Sequence, residues 1–481
     1  MPSLVDKLLP LYRFAPTAVQ NGLCSLEGWR IQRTRYNADF DRLRREANAR
    51  SSWSTGRVLE YRNDRLRRFL KEAVAFTPHY VSERRHAGFA WADIKELDDL
   101  KNLPIIGKAD VQARTGEFAN QRLLTDNCIM SHTSGTTGGG LQFRTTAEST
   151  QEQWAVWFRY RNWHGISPGT WCGYFGGRSV VPCKQNAAPF WRLNYPGRQI
   201  LFSAYHVAPQ WMGAYVEELR RRQPPWLHGY PSLLTLLAGY LIDRGVDLGY
   251  TVRWITTGAE NLLPQQRALI AKAFGVQPRE HYGMAEAVAN FSECERGRLH
   301  VDEDFSAVEF LPAGNGETFR VVGTNFTNPA TPLVRYEVSD IVTLSGTACA
   351  CGRPGRIVDR VDGRQEDYVV LHDGARLGRM DHIFKDMVHV REAQIYQEVP
   401  GELIYRIVRG SDYTSEDEAR LLRETALRAG DGAKVTFQYV ESLPRTKSGK
   451  LRFVVSEIAE AKIGSSSRHL QPWAVSARIG D

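Results

Sequence analysis

Residues 131–143, SHTSGTTGGGLQF, concentrate glycine and small hydroxyl side chains in one short run. Gly135, Gly138, Gly139 and Gly140 let backbone N–H groups approach an anion closely, while Ser134, Thr136 and Thr137 add hydroxyl donors, as a polyphosphate requires. The run is not a Walker A loop, because no Gly-Lys-[Ser/Thr] follows the glycines. Taken alone it also suits a plain turn between strands. A second set is Cys294-x5-His300 followed by Cys349-x-Cys351. Four soft ligands predict a tetrahedral structural zinc joining two hairpins, with no open coordination position for catalysis. The spacing is unorthodox, and thiols that merely pack are the alternative. Cys24, Cys128, Cys172 and Cys183 have no partner pattern and read as ordinary thiols.

The elements that must hold these residues belong to a chain of 481 residues, 42% hydrophobic and 24% charged. That balance excludes disordered, collagenous and multi-span membrane classes. The longest apolar stretch, Leu233–Ile242, falls short of the roughly 20 residues that span a bilayer. Asp6 and Lys7 interrupt the place where a secretory signal would be apolar. Seven cysteines do not make a disulfide scaffold at this length. A cytoplasmic enzyme, monomeric or homodimeric, is expected. The net charge of +8 is partly local: twelve arginines lie between Arg30 and Arg68. Leu66, Phe69, Leu70 and Ala73 recur there at helical spacing, which favours helices with solvated arginine faces over a nucleic-acid surface. A basic surface also suits a polyanionic small molecule.

Residues 1 to about 100 read as helical, with Pro78 closing a helix. From Ile129 the pattern is α/β. A helix over Pro231–Arg244 precedes a strand over Val252–Thr256, a helix over Pro264–Phe274 and a loop around 281–283. Ligands of open α/β sheets sit at the carboxyl ends of strands, so the loops at 257–260 and 281–286 are where a site is sought. A second α/β pattern runs from about 366 to 463, with strands near Leu403–Val408 and Lys434–Val440 and a helix over Ser415–Arg428. The expected division is a helical extension (1–105), a large α/β core (106–365), a small α+β lid (366–463) and a tail (464–481).

The run Thr133–Gly138 resembles the signature loop of the adenylate-forming superfamily, which includes acyl-CoA synthetases, adenylation domains and luciferases. Further stations follow in that family's order: Gly258-Ala259-Glu260, Tyr282-Gly283-Met284-Ala285-Glu286, Tyr336–Asp340, Gly363–Asp367 and Leu443–Arg452. Leu9-Pro10, Val19–Leu23, Thr77–Tyr80, Asp99-Leu100, Leu103-Pro104 and Leu227–Ser232 are similar to the CapK branch, related to phenylacetate–coenzyme A ligase. The resemblance covers nearly the whole chain. It implies a large multi-sheet α/β adenylate-forming domain with a mobile C-terminal domain. It also implies a reaction in which a small-molecule carboxylic acid attacks ATP, releasing pyrophosphate, before transfer to coenzyme A. An amine or a carrier-protein thiol is the alternative acceptor, and a non-catalytic binding or assembly subunit the alternative class. No nucleic acid and no membrane span are expected.

By that resemblance, Ser134, Gly135, Thr136, Thr137 and Gly138 cradle the leaving pyrophosphate. Tyr282 and Gly283, with Gly258, Ala259 and Glu260, line the adenine pocket. Asp340 and Arg364 fix the ribose, Glu286 holds Mg2+, and Lys450 bridges carboxylate and α-phosphate. Arg376 falls where relatives place an arginine for the thioester-forming step. Tyr205, His206, His228 and Tyr230 are candidates for the acid pocket, near Trp171, Tyr174, Phe175, Phe190, Trp191 and Trp226; such rings would suit a planar acid or an ordinary core. Related ligases carry cysteine clusters where Cys294, His300, Cys349 and Cys351 stand, which strengthens the zinc reading. Three departures stand out: Ala285 replaces a threonine, Gly139-Gly140 replace Pro/Lys, and Glu366 replaces an aspartate.

Overall fold

The computed structural model describes residues 12, 14–87, 91–123, 128–132, 141–176, 180–182, 185–204, 206–207, 210–259, 262, 264–313, 317–364, 368–372, 376–378, 380–383, 390–409, 413–429, 433–440, 443 and 454–458. The chain divides into two units, Met1–Gln365 and Glu366–Asp481.

The first unit begins with helices α1 (Thr17–Arg35), α2 (Ala38–Arg50), α3 (Thr55–Ala73) and α4 (Pro78–Ala87). The Asn37 side chain starts α2 by accepting the N–H groups of Asp39 and Phe40. Pro78 opens α4 instead of closing a helix, because its fixed φ and missing donor suit a first turn. Leu66, Phe69 and Leu70 of α3 lie in one core with Val308, Val321 and Val342, so these helices are part of the first unit's interior. Several arginines of the basic run turn inward. Arg50 meets Asp304 at 2.5 Å and Arg62 meets Glu303 at 2.8 Å, all buried. The local cation excess is thus answered in part by acids 241 and 254 residues further on.

After α5 (Lys108–Ala113), strands β1 (Ile129–His132) and β2 (Gln142–Thr145) form an antiparallel hairpin that brackets residues 133–140. Helix α6 (Ala147–Trp163) follows, its first turn held by Thr146 Oγ1 accepting Ser149 N–H at 3.0 Å. The main sheet then takes β3 (Cys172–Gly176), β4 (Trp191–Asn194), β5 (Gln199–Ser203), β6 (Trp226–Gly229), β7 (Trp254–Gly258) and β8 (Pro278–Gly283). It continues through β9 (Asn290–Glu293), β10 (Leu299–Val301), β11 (Ala307–Ala313), β12 (Thr318–Thr324), β13 (Tyr336–Leu344) and β14 (Ile357–Arg364). Strand order is β11-β12-β13-β14-β10-β9-β8-β7-β6-β3-β5-β4. The run β5-β3-β6-β7-β8 is parallel, and from β8 to β11 every pairing is antiparallel.

Helices α7 (Met212–Arg222), α8 (Pro231–Asp243) and α9 (Pro264–Phe274) accompany the parallel strands. Leu234, Leu237 and Leu241 of α8 pack with Leu219 and Ile255 in a second core. Gly275, at φ +70°, stops α9 where a side chain would be strained. The expected strand at 252–256 lies two residues later, and residues 281–283 end β8 instead of forming a loop. The apolar run beginning at Val252 set the expectation; the ladder with β6 and β8 sets the actual limits.

In the second unit, β15 (Tyr368–Val370) pairs with β16 (Arg376–Gly378). β17 (Val390–Gln397), β18 (Glu402–Arg409), β19 (Lys434–Tyr439) and β20 (Val454–Ser456) form a sheet ordered β19-β18-β17-β20. Helix α10 (Ser415–Ala429) belongs to this unit, and its Leu421 shares a buried core with Ile395, Tyr405 and Ile407.

Candidate nucleotide site and metal centre

Parallel strands place their carboxyl ends on one edge of the sheet, and here those ends are Gly176, Ser203, Gly229, Gly258 and Gly283. The edge therefore collects His206, His228–Tyr230, Gly258-Ala259 and Tyr282-Gly283, although they are scattered in sequence. Gly229 admits no side chain: a Cβ there would sit 2.2 Å from the Phe175 carbonyl oxygen, the same oxygen that accepts Tyr230 N–H at 2.9 Å. His228 Nδ1 lies 2.9 Å from Thr256 Oγ1 on the neighbouring strand. His206 is buried, 2.8 Å from Ser203 Oγ, with its ring stacked on Phe190. Phe175, Phe190 and Trp226 are buried as well. Ala259, just past β7, holds φ +65°, a left-handed conformation that costs a non-glycine residue about 1–2 kcal/mol.

On β8, Tyr282 stacks on Phe291 with ring centroids 4.5 Å apart, and its hydroxyl donates to Asp340 Oδ2 at 2.6 Å. Asp340 on β13 stands opposite Arg364 on β14 in the antiparallel register. Three sequence stations 58 and 24 positions apart thus meet at one place, and Arg364 does so by its backbone position. A Cβ on Gly283 would lie 2.7 Å from Asn290 Oδ1, so a side chain there would have to displace that amide. Glu286 follows β8 and is buried, its backbone carbonyl accepting from Asn325 Nδ2 at 3.1 Å. Ala285 packs against the first core, an apolar contact that a threonine hydroxyl would not share. Ser134–Gly138, Tyr205, Glu260 and Lys450 lie outside the described residues, as do the side chains of Arg364 and of Arg376 on β16.

Several residues that support the site carry no motif. Asn290, opposite Gly283 in the ladder, accepts from Trp157 Nε1 at 2.9 Å and donates to Asp302. Tyr80, from the Thr77–Tyr80 step, donates to the Pro332 carbonyl and accepts Val334 N–H at 2.8 Å. Arg335 donates to the carbonyls of Lys101 and Leu103 and forks onto Glu309. The conformation of residues 332–336, which lead into β13 and Asp340, is set by these bonds. Proximity to Tyr282 was the one available signal for Glu280 and His281. Burial, reinforced by the nearby Glu293 carboxylate, pushes Glu280 up to about 7, and its Oε1 accepts Leu262 N–H at 3.2 Å. Burial, with the charges of Arg161 and Arg159, pushes His281 down to about 3.

A histidine lowered in the folded state stabilises fully above its free value near 6.5, and that stability fades as pH falls toward 3. His281 is therefore expected to lower unfolding free energy by up to about 1.4 kcal/mol per pH unit below 6.5, opposed down to about 4.5 by Glu280, whose raised carboxyl lets the folded state bind its proton first. In His281→Gln that one-proton share disappears from urea-unfolding midpoints measured across the range; an unchanged slope would contradict the assignment.

The metal candidates converge. One ligand atom from each of Cys294, His300, Cys349 and Cys351 lies within 4.8 Å of the others. Cys294 and Cys349 sulfurs are 3.7 Å apart, and His300 Nε2 is 3.3 Å from Cys351 Sγ. A tetrahedral zinc with 2.3 Å bonds to sulfur gives a sulfur–sulfur edge of about 3.8 Å, so the donors fit. His300 Nδ1 lies 3.0 Å from the Pro354 carbonyl, an outer contact that would fix the ring with Nε2 toward a metal. The cluster ties the β9–β10 turn to the β13–β14 connection, beside a β10–β14 seam of only two registered pairs. Protein purified without added zinc is expected to hold about one equivalent by elemental mass spectrometry, and Cys351→Ser to lose it and unfold at lower temperature. Metal-free protein with an unchanged midpoint would leave these thiols as packing groups.

A tyrosine on one strand end is thus bonded to an aspartate registered against an arginine, the stations that the resemblance to adenylate-forming ligases named. Residues 372–457 match the CapK C-terminal domain family. The chain is 26% identical over 462 residues to Protein CapK of Staphylococcus aureus, covering 93% of this chain and 99% of that protein. It is 28% identical over 260 residues to a phenylacetate–coenzyme A ligase of Thermus thermophilus, covering 47% and 58% of the two chains. In fold it resembles 2-hydroxyisobutyryl-CoA ligase in complex with 2-HIB-AMP, with a TM-score of 0.55 at 18% identity over 85% of this chain and 91% of that one. The chain is thus similar along nearly its whole length to Protein CapK, over part of it to phenylacetate–coenzyme A ligases, and in fold to an adenylate-bound CoA ligase.

Proposed function

We propose that this protein activates a carboxylic acid with ATP and passes the acyl group to the thiol of coenzyme A. The carboxylate oxygen attacks the α-phosphorus, the bond to the β-phosphate oxygen breaks, and pyrophosphate leaves. Thiol sulfur then attacks the acyl carbon of the adenylate, and AMP leaves with the electron pair. The observation that carries this reading is the Tyr282–Asp340 hydrogen bond at the strand ends, with Arg364 in register. In this reading the phenol ring flanks adenine while Asp340 and Arg364 take the ribose hydroxyls, which supplies position and not chemistry. Glu286 would hold Mg2+, whose chemistry when bound is to neutralise phosphate oxygens. Ser134–Gly138 hold the leaving pyrophosphate, Lys450 carries the positive charge to the reacting oxygens, and Arg376 serves the thioester-forming step. The zinc ligands stand apart from the reaction as a structural clamp.

ATP–pyrophosphate exchange across a panel of small acids tests the first half-reaction. Acid-dependent exchange is expected, with AMP release accelerating when coenzyme A is added. Acceleration by amines alone would change the acceptor, and absence of exchange with every acid would point to a binding or assembly subunit.

A further inference from the structure

Helix α1 is inside out. Its inward face is polar: Gln20 and Gly28 are buried, Gln20 accepts from Arg192, Asn21 accepts Leu193 N–H at 2.9 Å, and Ser25 donates to the Leu193 carbonyl at 3.3 Å. Those partners belong to β4, the outermost strand of the large sheet, whose free edge would otherwise offer unpaired backbone groups. Serving that edge with polar side chains leaves the helix's apolar residues outside. Val19 is 49% exposed, Leu26 62% and Trp29 49%, with Phe14 at 89% just before the helix. At 100° per residue, Val19, Leu26, Trp29, Arg30 and Arg33 fall on one outward face. Tyr195, 53% exposed, follows β4 directly, and its N–H donates to Ser25 of the helix.

The charge on this face is cationic. Arg33 lies over the Trp29 ring at 4.4 Å, Arg30 pairs with Glu27, and exposed Arg198 follows Tyr195 in the β4–β5 turn. Glu27 is the one acid within α1. The whole chain carries +8. A second copy on this face would bring like charges together, whereas an anionic bilayer would take the apolar ridge into its headgroup layer and the guanidinium groups onto its phosphates. Tryptophan and tyrosine are the side chains that favour such an interface. No described helix is long and apolar enough to cross a membrane, so the contact is a surface one.

We infer that the outward face of α1 docks this protein onto the surface of an anionic lipid bilayer. It is independent of the proposed reaction, because none of these residues belongs to the nucleotide site. The test is co-sedimentation of the full chain with phosphatidylcholine vesicles, with and without about one-third phosphatidylglycerol. Binding to the anionic vesicles is expected, weaker on pure phosphatidylcholine and lowered by salt. Leu26→Glu is expected to reduce the partition coefficient roughly tenfold, and Arg33→Glu by at least about fivefold, with circular dichroism unchanged. Bromolipid quenching of tryptophan should fall in Trp29→Phe. Equal binding by Leu26→Glu and the parent chain would overturn the inference. So would light scattering that shows a dimer broken by Leu26→Glu without any vesicle binding, which would make a second copy the occupant. So too would vesicle binding that appears only after deletion of residues 1–11, which would make that segment the cover.

Discussion

Lys450→Ala is expected to lower acid-dependent ATP–pyrophosphate exchange by about two to three orders of magnitude while sparing thioester formation from a supplied acyl-adenylate. Adenylation brings a carboxylate against a triphosphate, so two anions must meet while negative charge builds on the bridging and non-bridging oxygens. Removing one positive group aimed at such charge costs on the order of 100- to 1,000-fold in rate. Thioester formation has no such encounter, because the acid is already esterified and the leaving group is AMP. Measuring both half-reactions on the same variant separates this role from a general loss of fold, which would depress them together. Equal loss in both, or full exchange in the variant, would remove Lys450 from the reaction. Asp340→Asn provides the contrast: it weakens positioning, so its effect belongs mainly in the apparent affinity for ATP, along with loss of the charge that the Tyr282 hydroxyl meets.

The fold's helices were the most legible part of the sequence. Pro264–Phe274 carries its own start and stop, a proline at the first turn and Gly275 after the last, and its limits need no tertiary information. Strand limits were less so, because β7 gains its last residues from pairing with β6 and β8, and not from its own apolar pattern. The convergence of Tyr282 with Asp340 could not be read from periodicity at all; it arises from a sheet that brings β13 back toward β8, and only the ordered motifs signalled it. The metal cluster lies between these cases: residue types suggested it, while the unorthodox spacing left its closure to the fold of two turns. The candidate acid pocket was less legible than the metal cluster. Aromatic residues near it are candidates, among them Phe175, which stacks on Phe202 at 4.5 Å, and composition does not distinguish a ring that packs from one that binds.

Least visible of all was the ionic core, since the acidic triplet Asp302-Glu303-Asp304 resembles a solvated turn and is instead buried throughout. Arg159 on α6 donates to Asp304 at 2.7 Å and to Asp302 at 2.5 Å, Arg50 shares Asp304, and Glu303 binds both Arg62 and Arg356. Burial alone would push Asp304 upward, but Arg159 and Arg50 beside it hold its carboxyl well below the ordinary range. Arg159→Met is therefore expected to destabilise the first unit by about 3–5 kcal/mol, because it strands a buried carboxylate instead of merely losing a contact. In a unit of this size that is a fall of roughly 4–7 °C in the thermal midpoint read by tryptophan fluorescence. Adding Asp302→Asn to Arg159→Met should restore part of the loss by removing the stranded charge, a recovery that a simple packing defect would not show. The same pair reports on the site: Asp302 accepts from Asn290 and Ser292, and Asn290 crowds Gly283, so the single variant should also bind AMP more weakly than the double. A single variant within about 1 kcal/mol of the parent would mean that water or a neighbouring cation reaches Asp302 once Arg159 is gone, and that the helical layer is held by its apolar contacts alone.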